Sequence, residues 1–316
     1  MAAWKLCIED YGKIKSAEIE MAPLTLFVGD NNSGKSYLMS LLWGIENLGV
    51  ETILGAELEK TEEYDELIEW IGEQLDIAVQ NGKHAAALAE ISGLLEAYFN
   101  SALRKNKNSL VQMIFNSSQM RIGKLAVKLG DLGGADLKFQ MDDAKRLSIH
   151  ADSYGRHFVL AEDIVKNVNL RKASFILEML LKEIYSMILN IGIREDESAE
   201  SIYLPAARTG FMLTKDIINK VGRKNTFNLS SDKEMITPFV RPINQFLDVM
   251  GDLSLEMTRS ESFIKLVNDL EEEMADGTVE ISAIPNKEVQ YVPNSHKNGI
   301  PLRLTSAVVT ELSPLI

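Results

Sequence analysis

A chain of 316 residues, 46% hydrophobic and 25% charged, has the composition of a globular protein large enough for one big domain or two smaller ones. Its net charge of −13 works against general nucleic-acid affinity, which draws on positive charge to displace counterions; any such binding is expected to be weak and local. One cysteine excludes an intramolecular disulfide, four scattered histidines show no metal-ligand spacing, and no apolar run approaches a leader or a membrane span. The cytoplasm is the expected compartment.

In chain order, residues 4–28 read as strands. "WKLCIEDYG" alternates through Leu6 and Ile8, Gly12 marks a turn, and "IKSAEIEM" alternates again through Ile14 and Ile19. "LTLFV" (24–28) is an apolar run of the kind a strand buried on both faces shows. The loop Gly29–Lys35 follows, then a predicted helix over 36–48 that stops at Gly49.

Residues 57–116 read as helical. Thr61 is the expected N-cap, and Tyr64, Leu67, Ile68, Ile71, Leu75 and Val79 repeat at helical spacing up to Gly82. Leu88 to Phe99 predicts a second helix and 109–115 a short third. From 119 to about 162 the period drops to two: "KLAVKL", "LKFQM" and "LSIHA" predict an antiparallel meander. Residues 165–192 form an apolar helix, "SIYLPAARTG" (201–210) a short strand entering a loop, and Thr237-Pro238 opens a helix ending at Gly251. A further helix covers 261–275, and "TVEIS", "EVQYV" and "PLRL" read as closing strands.

Gly29-Asp30-Asn31-Asn32-Ser33-Gly34-Lys35-Ser36 matches G-x-x-x-x-G-K-[ST] between a strand and a helix. A polyphosphate concentrates negative charge, and successive backbone amides at a helix N-terminus can wrap it. Gly29 and Gly34 admit close backbone approach, Lys35 is placed for the β- and γ-phosphates, and the Ser36 hydroxyl for Mg²⁺. ATP with Mg²⁺ is the expected ligand.

The flanks carry a resemblance. "IEDYGKIKSAEIEMAPLTLFVGDNNSGKSYL" resembles the start of the RecF/SMC-like branch of ABC-type ATPases: Tyr11-Gly12-Lys13-Ile14 fits its "[FY]G-x-[IL]" turn, and Asn31-Asn32-Ser33 its loop interior. "YLPAARTG" is similar to a segment of bacterial AAA family ATPases related to the OLD group, and "LRLTSAVVTELSPL" to their signature segment. The resemblance implies an α/β P-loop NTPase of ABC/SMC-head type, with a mixed sheet, an antiparallel meander and a helical insert. It divides the chain into an ATPase head over 1–56 and 117–316, an insert over 57–116 and a second helical subdomain over 211–275. In such heads two copies sandwich ATP, so Ser306 is expected at the γ-phosphate of the opposite head, with Arg208 facing the nucleotide and Tyr37 beside it. Ala307 and Val308 replace the glycines that usually follow the signature serine.

A Walker B strand, apolar residues ending in Asp-Glu, should hold Mg²⁺ and polarise water. The chain reaches Ile316 before one appears, which leaves the head incomplete and leads to the expectation of a longer parent protein. "FVLAED" (158–163) has the acids in reversed order and reads as a meander strand. The basic stretch Lys215–Lys224 reads as a solvated helix face, as does the acidic run 269–274. The expectation is an ATPase head that pairs around Mg-ATP and gates an effector, a nuclease or DNA-processing subunit of the kind used in anti-phage defence. The alternatives are a scaffold that binds nucleotide without turnover, and a small-molecule kinase, whose arginine-rich lid is missing from 290–316, where only Arg303 stands.

Overall fold

The structure is a computed structural model that describes residues 4–22, 24–55, 58–130, 132, 136–142, 146–151, 156–160, 170–189, 201–211, 214, 239–251, 261–281, 289–296 and 298–313. The chain divides into two compact units, Met1–Ser201 and Ile202–Ile316.

In the first unit, β1 (Trp4–Tyr11) and β2 (Ile14–Met21) form an antiparallel hairpin in which Tyr11 faces Ile14 across the loop Gly12-Lys13. Gly12 takes φ 59, the positive angle a two-residue hairpin loop demands. Trp4, Leu6, Ile8 and Tyr11 are buried, as is Cys7. Lys5, Glu9 and Glu18 instead join surface ion pairs.

The expected third strand does not form. Residues 24–28 have no strand partner among the described residues, and Leu24, Leu26 and Val28 are 78%, 78% and 94% exposed. An apolar run becomes a buried strand only when neighbours pair with both its edges and cover its faces, and none of the described residues does so here.

Helix α1 (Lys35–Gly49) opens at the phosphate loop and runs on as a π turn, Val50–Leu54, to Gly55 at φ 75. Gly49, the predicted stop, stays helical at φ −62. It is small for another reason: the Tyr185 ring presses where a Cβ would stand. Helix α2 (Glu62–Asn81) starts at Thr61, whose hydroxyl accepts the Tyr64 amide, and stops at Gly82 in the left-handed region, both as expected.

Beyond Gly82 the structure corrects the sequence reading. "KHAAA" is a strand, β3 (Lys83–Ala87), and α3 (Ser92–Phe115) is a single helix where two were predicted. Strand β4 (Ile122–Leu129) leaves the predicted meander to pair with β1, giving the sheet order β2-β1-β4. The meander is β5 (Asp136–Met141), β6 (Leu147–Ala151) and β7 (Arg156–Leu160), with β3 along its edge. Strand β7 takes in Phe158 to Leu160 of the acid-terminated look-alike; Glu162 and Asp163 lie outside the described residues. Every strand pair among the described residues is antiparallel, where the resemblance implied a mixed sheet. Helix α4 (Leu170–Leu189) buries Ile176, Leu177, Leu180, Leu181, Ile184 and Tyr185, while Phe175 faces solvent.

Ser201 closes the first unit, and the second opens with "IYLP" as irregular chain, a turn at Ala206-Ala207 and a helical turn over 208–211, where a strand was expected. Helix α5 (Arg241–Gly251) ends where expected, and α6 (Glu261–Leu270) continues into a π turn, Glu271–Ala275. The predicted opening at Thr237-Pro238 and the basic stretch Lys215–Lys224 lie outside the described residues. Strands β8 (Gly277–Ile281), β9 (Val289–Pro293) and β10 (Ile300–Pro301) form a sheet of order β10-β9-β8. The predicted strand "PLRL" is mostly a 3-10 turn, Leu302–Leu304, which leads to the short helix α7 (Ala307–Leu312). Phe246, Met250, Ala275, Val289, Leu302, Val309 and Leu312 make this unit's own core.

Candidate nucleotide-binding site

The phosphate loop is built from both ends. On its helix side α1 buries Leu38, Leu41, Leu42, Ile45 and Leu48, and Gly44 lets the helix close on Ile114 of α3. That packing fixes the helix N-terminus. No side chain caps it, and no acidic residue stands in its first turn, so its leading amides and the positive helix end are left for an anion.

Ser33 donates its amide to the Asp30 carbonyl at 3.3 Å, which folds the loop back on itself. Asn32 sits at φ 64 and Gly34 at φ 104, two positive angles that bend the loop sharply ahead of α1. Only glycine adopts the Gly34 angle without strain, and an added Cβ would stand 2.9 Å from the Ile14 side chain. The Lys35 ammonium donates to the Gly29 carbonyl at 2.6 Å and to the Asp30 carbonyl at 2.7 Å, and reaches Ser33 Oγ at 3.4 Å. It thus lies within the curl of the loop, where it would meet phosphate oxygens. Residues Gly29 to Ser33 and Ser36 are exposed.

These residues fit a polyphosphate: the uncapped amides that open α1, an ammonium and two glycines stand in one loop. They fit Mg²⁺ through Ser36, since Mg²⁺ is held by few protein ligands with phosphates and water supplying the rest. Among the described residues no group of three or more His, Cys, Asp or Glu side chains could hold a metal by itself.

Tyr37 turns inward. Its ring stacks on Phe115 with centroids 5.2 Å apart and meets Tyr11 edge-on at 5.8 Å. Tyr11 donates its hydroxyl to the Tyr37 carbonyl at 3.1 Å, and burial pushes the Tyr11 phenol well above its usual range. Sequence reasoning missed this contact between hairpin and loop. Its signal was the glycine in Tyr11-Gly12-Lys13-Ile14, because a Cβ on Gly12 would stand 3.3 Å from the Tyr37 ring.

The structure places Gly29, Asn31, Asn32, Ser33, Gly34, Lys35, Ser36 and Tyr37 together in the first unit; Arg208 and Ser306 belong to the second. There, Arg208 Nε donates to the Glu311 carbonyl at 2.9 Å and Nη2 pairs with the Glu311 carboxylate at 2.6 Å. Thr209 adds a hydroxyl bond to the same carboxylate at 2.9 Å. Ser306 is the N-cap of α7, its hydroxyl accepting the Val309 amide at 3.4 Å. The two predicted residues therefore sit at opposite ends of one short helix.

No helix among the described residues is long and apolar enough to cross a membrane. No curated protein and no solved structure matches the chain. The AAA ATPase domain family matches residues 1–281. That family implies a P-loop NTPase fold and ATP binding, usually with Mg²⁺. A match over so much of the chain, taking in a loop shaped for phosphate, makes this protein a member of the AAA ATPase domain family.

Proposed function

We propose that the chain is an ATPase head that binds Mg-ATP at Gly29–Ser36 and pairs with a second copy around the nucleotide. The pairing gates a partner effector, a nuclease or DNA-processing subunit, as in the RecF/SMC/OLD-like heads it resembles. Lys35 neutralises the β- and γ-phosphates, Ser36 contributes its hydroxyl to Mg²⁺, Asn31 and Asn32 present backbone amides, and Ser33 closes the turn that holds them. Ser306 serves the γ-phosphate of the nucleotide on the opposite head, and Arg208 faces the nucleotide.

One observation carries the reading: an ammonium within 2.7 Å of two loop carbonyls, at the uncapped start of α1. Calorimetry with Mg-ATP tests it. The wild type is expected to bind at roughly micromolar Kd, and Lys35→Ala to lose at least about a hundredfold, close to 2.7 kcal/mol. Equal affinity in the two proteins would reject the site. Phosphate release then separates an ATPase from a scaffold, since the scaffold binds without turnover.

A further inference from the structure

The hairpin loop ahead of the phosphate loop is fastened to it at three points. The Tyr11 hydroxyl holds the Tyr37 carbonyl, Gly12 lies against the Tyr37 ring, and Ile14 fills the space beside Gly34. Between these anchors stands Lys13, exposed at the tip of the turn. Its backbone is held on both sides by residues that touch the start of α1, so the lysine is carried at the rim of the phosphate loop.

The neighbouring acids are engaged elsewhere. Glu9 pairs with Lys124 at 3.0 Å, and Asp10 leans on Gly123, where an added Cβ would stand 2.9 Å from its own. Both therefore face β4, and Lys13 forms no hydrogen bond or ion pair with another described residue. Lys15, the next cation along β2, is exposed. It lies beyond Ile14, the last anchor on this side, and so serves as the comparison for any general effect of surface charge.

We propose that Lys13 is a second phosphate-binding cation, reaching across the rim to the polyphosphate held at Gly29–Ser36. This rests on the phosphate-loop reading above. A lysine suits the place because a compact ammonium on a flexible stem can follow a phosphate as the loop adjusts. Position 13 then contributes affinity while Lys35 remains indispensable.

The test measures Mg-ATP and inorganic tripolyphosphate binding by calorimetry on the full chain and its Lys13→Ala, Lys13→Arg, Lys15→Ala and Lys35→Ala variants, each checked for folding by circular dichroism. Lys13→Ala is expected to weaken both ligands by roughly tenfold. Lys13→Arg should stay within about threefold, and Lys15→Ala within about twofold, of the wild type. Lys13→Ala indistinguishable from wild type, or no weaker than Lys15→Ala, would overturn the proposal while leaving the loop assignment intact. A loss seen with ATP but not with tripolyphosphate would overturn it too, by moving the contact to the nucleoside. A wild type that binds neither ligand removes the phosphate loop itself, and Lys13 with it.

Discussion

Gly34 concentrates two constraints at one position. Its φ of 104 is costly for any residue with a Cβ, and the Ile14 side chain waits 2.9 Å from where that atom would be. Gly34→Ala should lower stability by roughly 1–2 kcal/mol, mainly from the backbone angle because Ile14 can yield. It should also weaken ATP binding more than about tenfold, because α1's leading amides shift with the backbone. Urea denaturation and calorimetry check the two halves separately; unchanged values in both would mean the loop tolerates a side chain there. At the sheet surface, Lys128 first and Lys5 second hold the Glu18 carboxyl below its usual range. A depressed carboxylate adds stability above its unfolded pKa and loses it as pH falls through the folded value. Removing Lys128 should therefore move the Glu18 carboxyl titration upward, as followed by carbon NMR; an unmoved titration would show that the pair is not populated in solution. At this scale the phosphate-loop motif was legible, because the spacing of two glycines, a lysine and a serine encodes a backbone shape. The seating of the hairpin on Tyr37 and Gly34 was not, because it depends on how a hairpin docks.

Elements follow a different logic, in which neighbours outrank local pattern. "KHAAA" has no β-branched residue, yet pairing with β5 makes it a strand, with His84 opposite Phe139. "LTLFV" has the composition of a strand and no partner among the described residues, so it stays irregular, with Leu24, Leu26 and Val28 exposed. The contrast yields a prediction: Leu26→Lys should change the stability of this chain by no more than about 0.5 kcal/mol. Leu41→Ala, at a position with no exposed area, should cost roughly 2–5 kcal/mol. A large loss at Leu26 would mean that the run is covered in solution. Helix α7 is the other case. At six residues it is too short to persist alone and depends on its caps and on the buried Val309 and Leu312. Ser306 satisfies an amide at one end, and the Arg208 guanidinium satisfies a carbonyl at the other. Arg208 is about a quarter exposed and Glu311 more so, which limits the ion pair to roughly 1 kcal/mol. Arg208→Ala should thus speed amide exchange of Thr310 and Leu312 by roughly fivefold while β8 and β9 keep their protection. Uniform loosening of the whole unit would assign Arg208 to general folding.

Over the whole molecule, each unit has its own core: Leu41, Phe99, Leu103 and Ile114 belong to the first, Phe246, Val289 and Leu302 to the second. The phosphate loop lies wholly in the first. Two units with separate cores need not melt as one, so calorimetry should resolve two transitions. A ligand that binds only folded protein stabilises its site by about 2.7 kcal/mol at a hundredfold excess over Kd. For a unit of 201 residues that is roughly 5–10 °C. Mg-ATP should therefore raise one transition by that amount, and Lys35→Ala should erase the rise. Pairing around ATP adds a second signature, because association couples stability to protein concentration. A transition that climbs as the protein is concentrated with ATP, and not without it, supports paired heads. A shift independent of concentration leaves ATP bound to a single head, and then Ser306 cannot serve a nucleotide held by another copy.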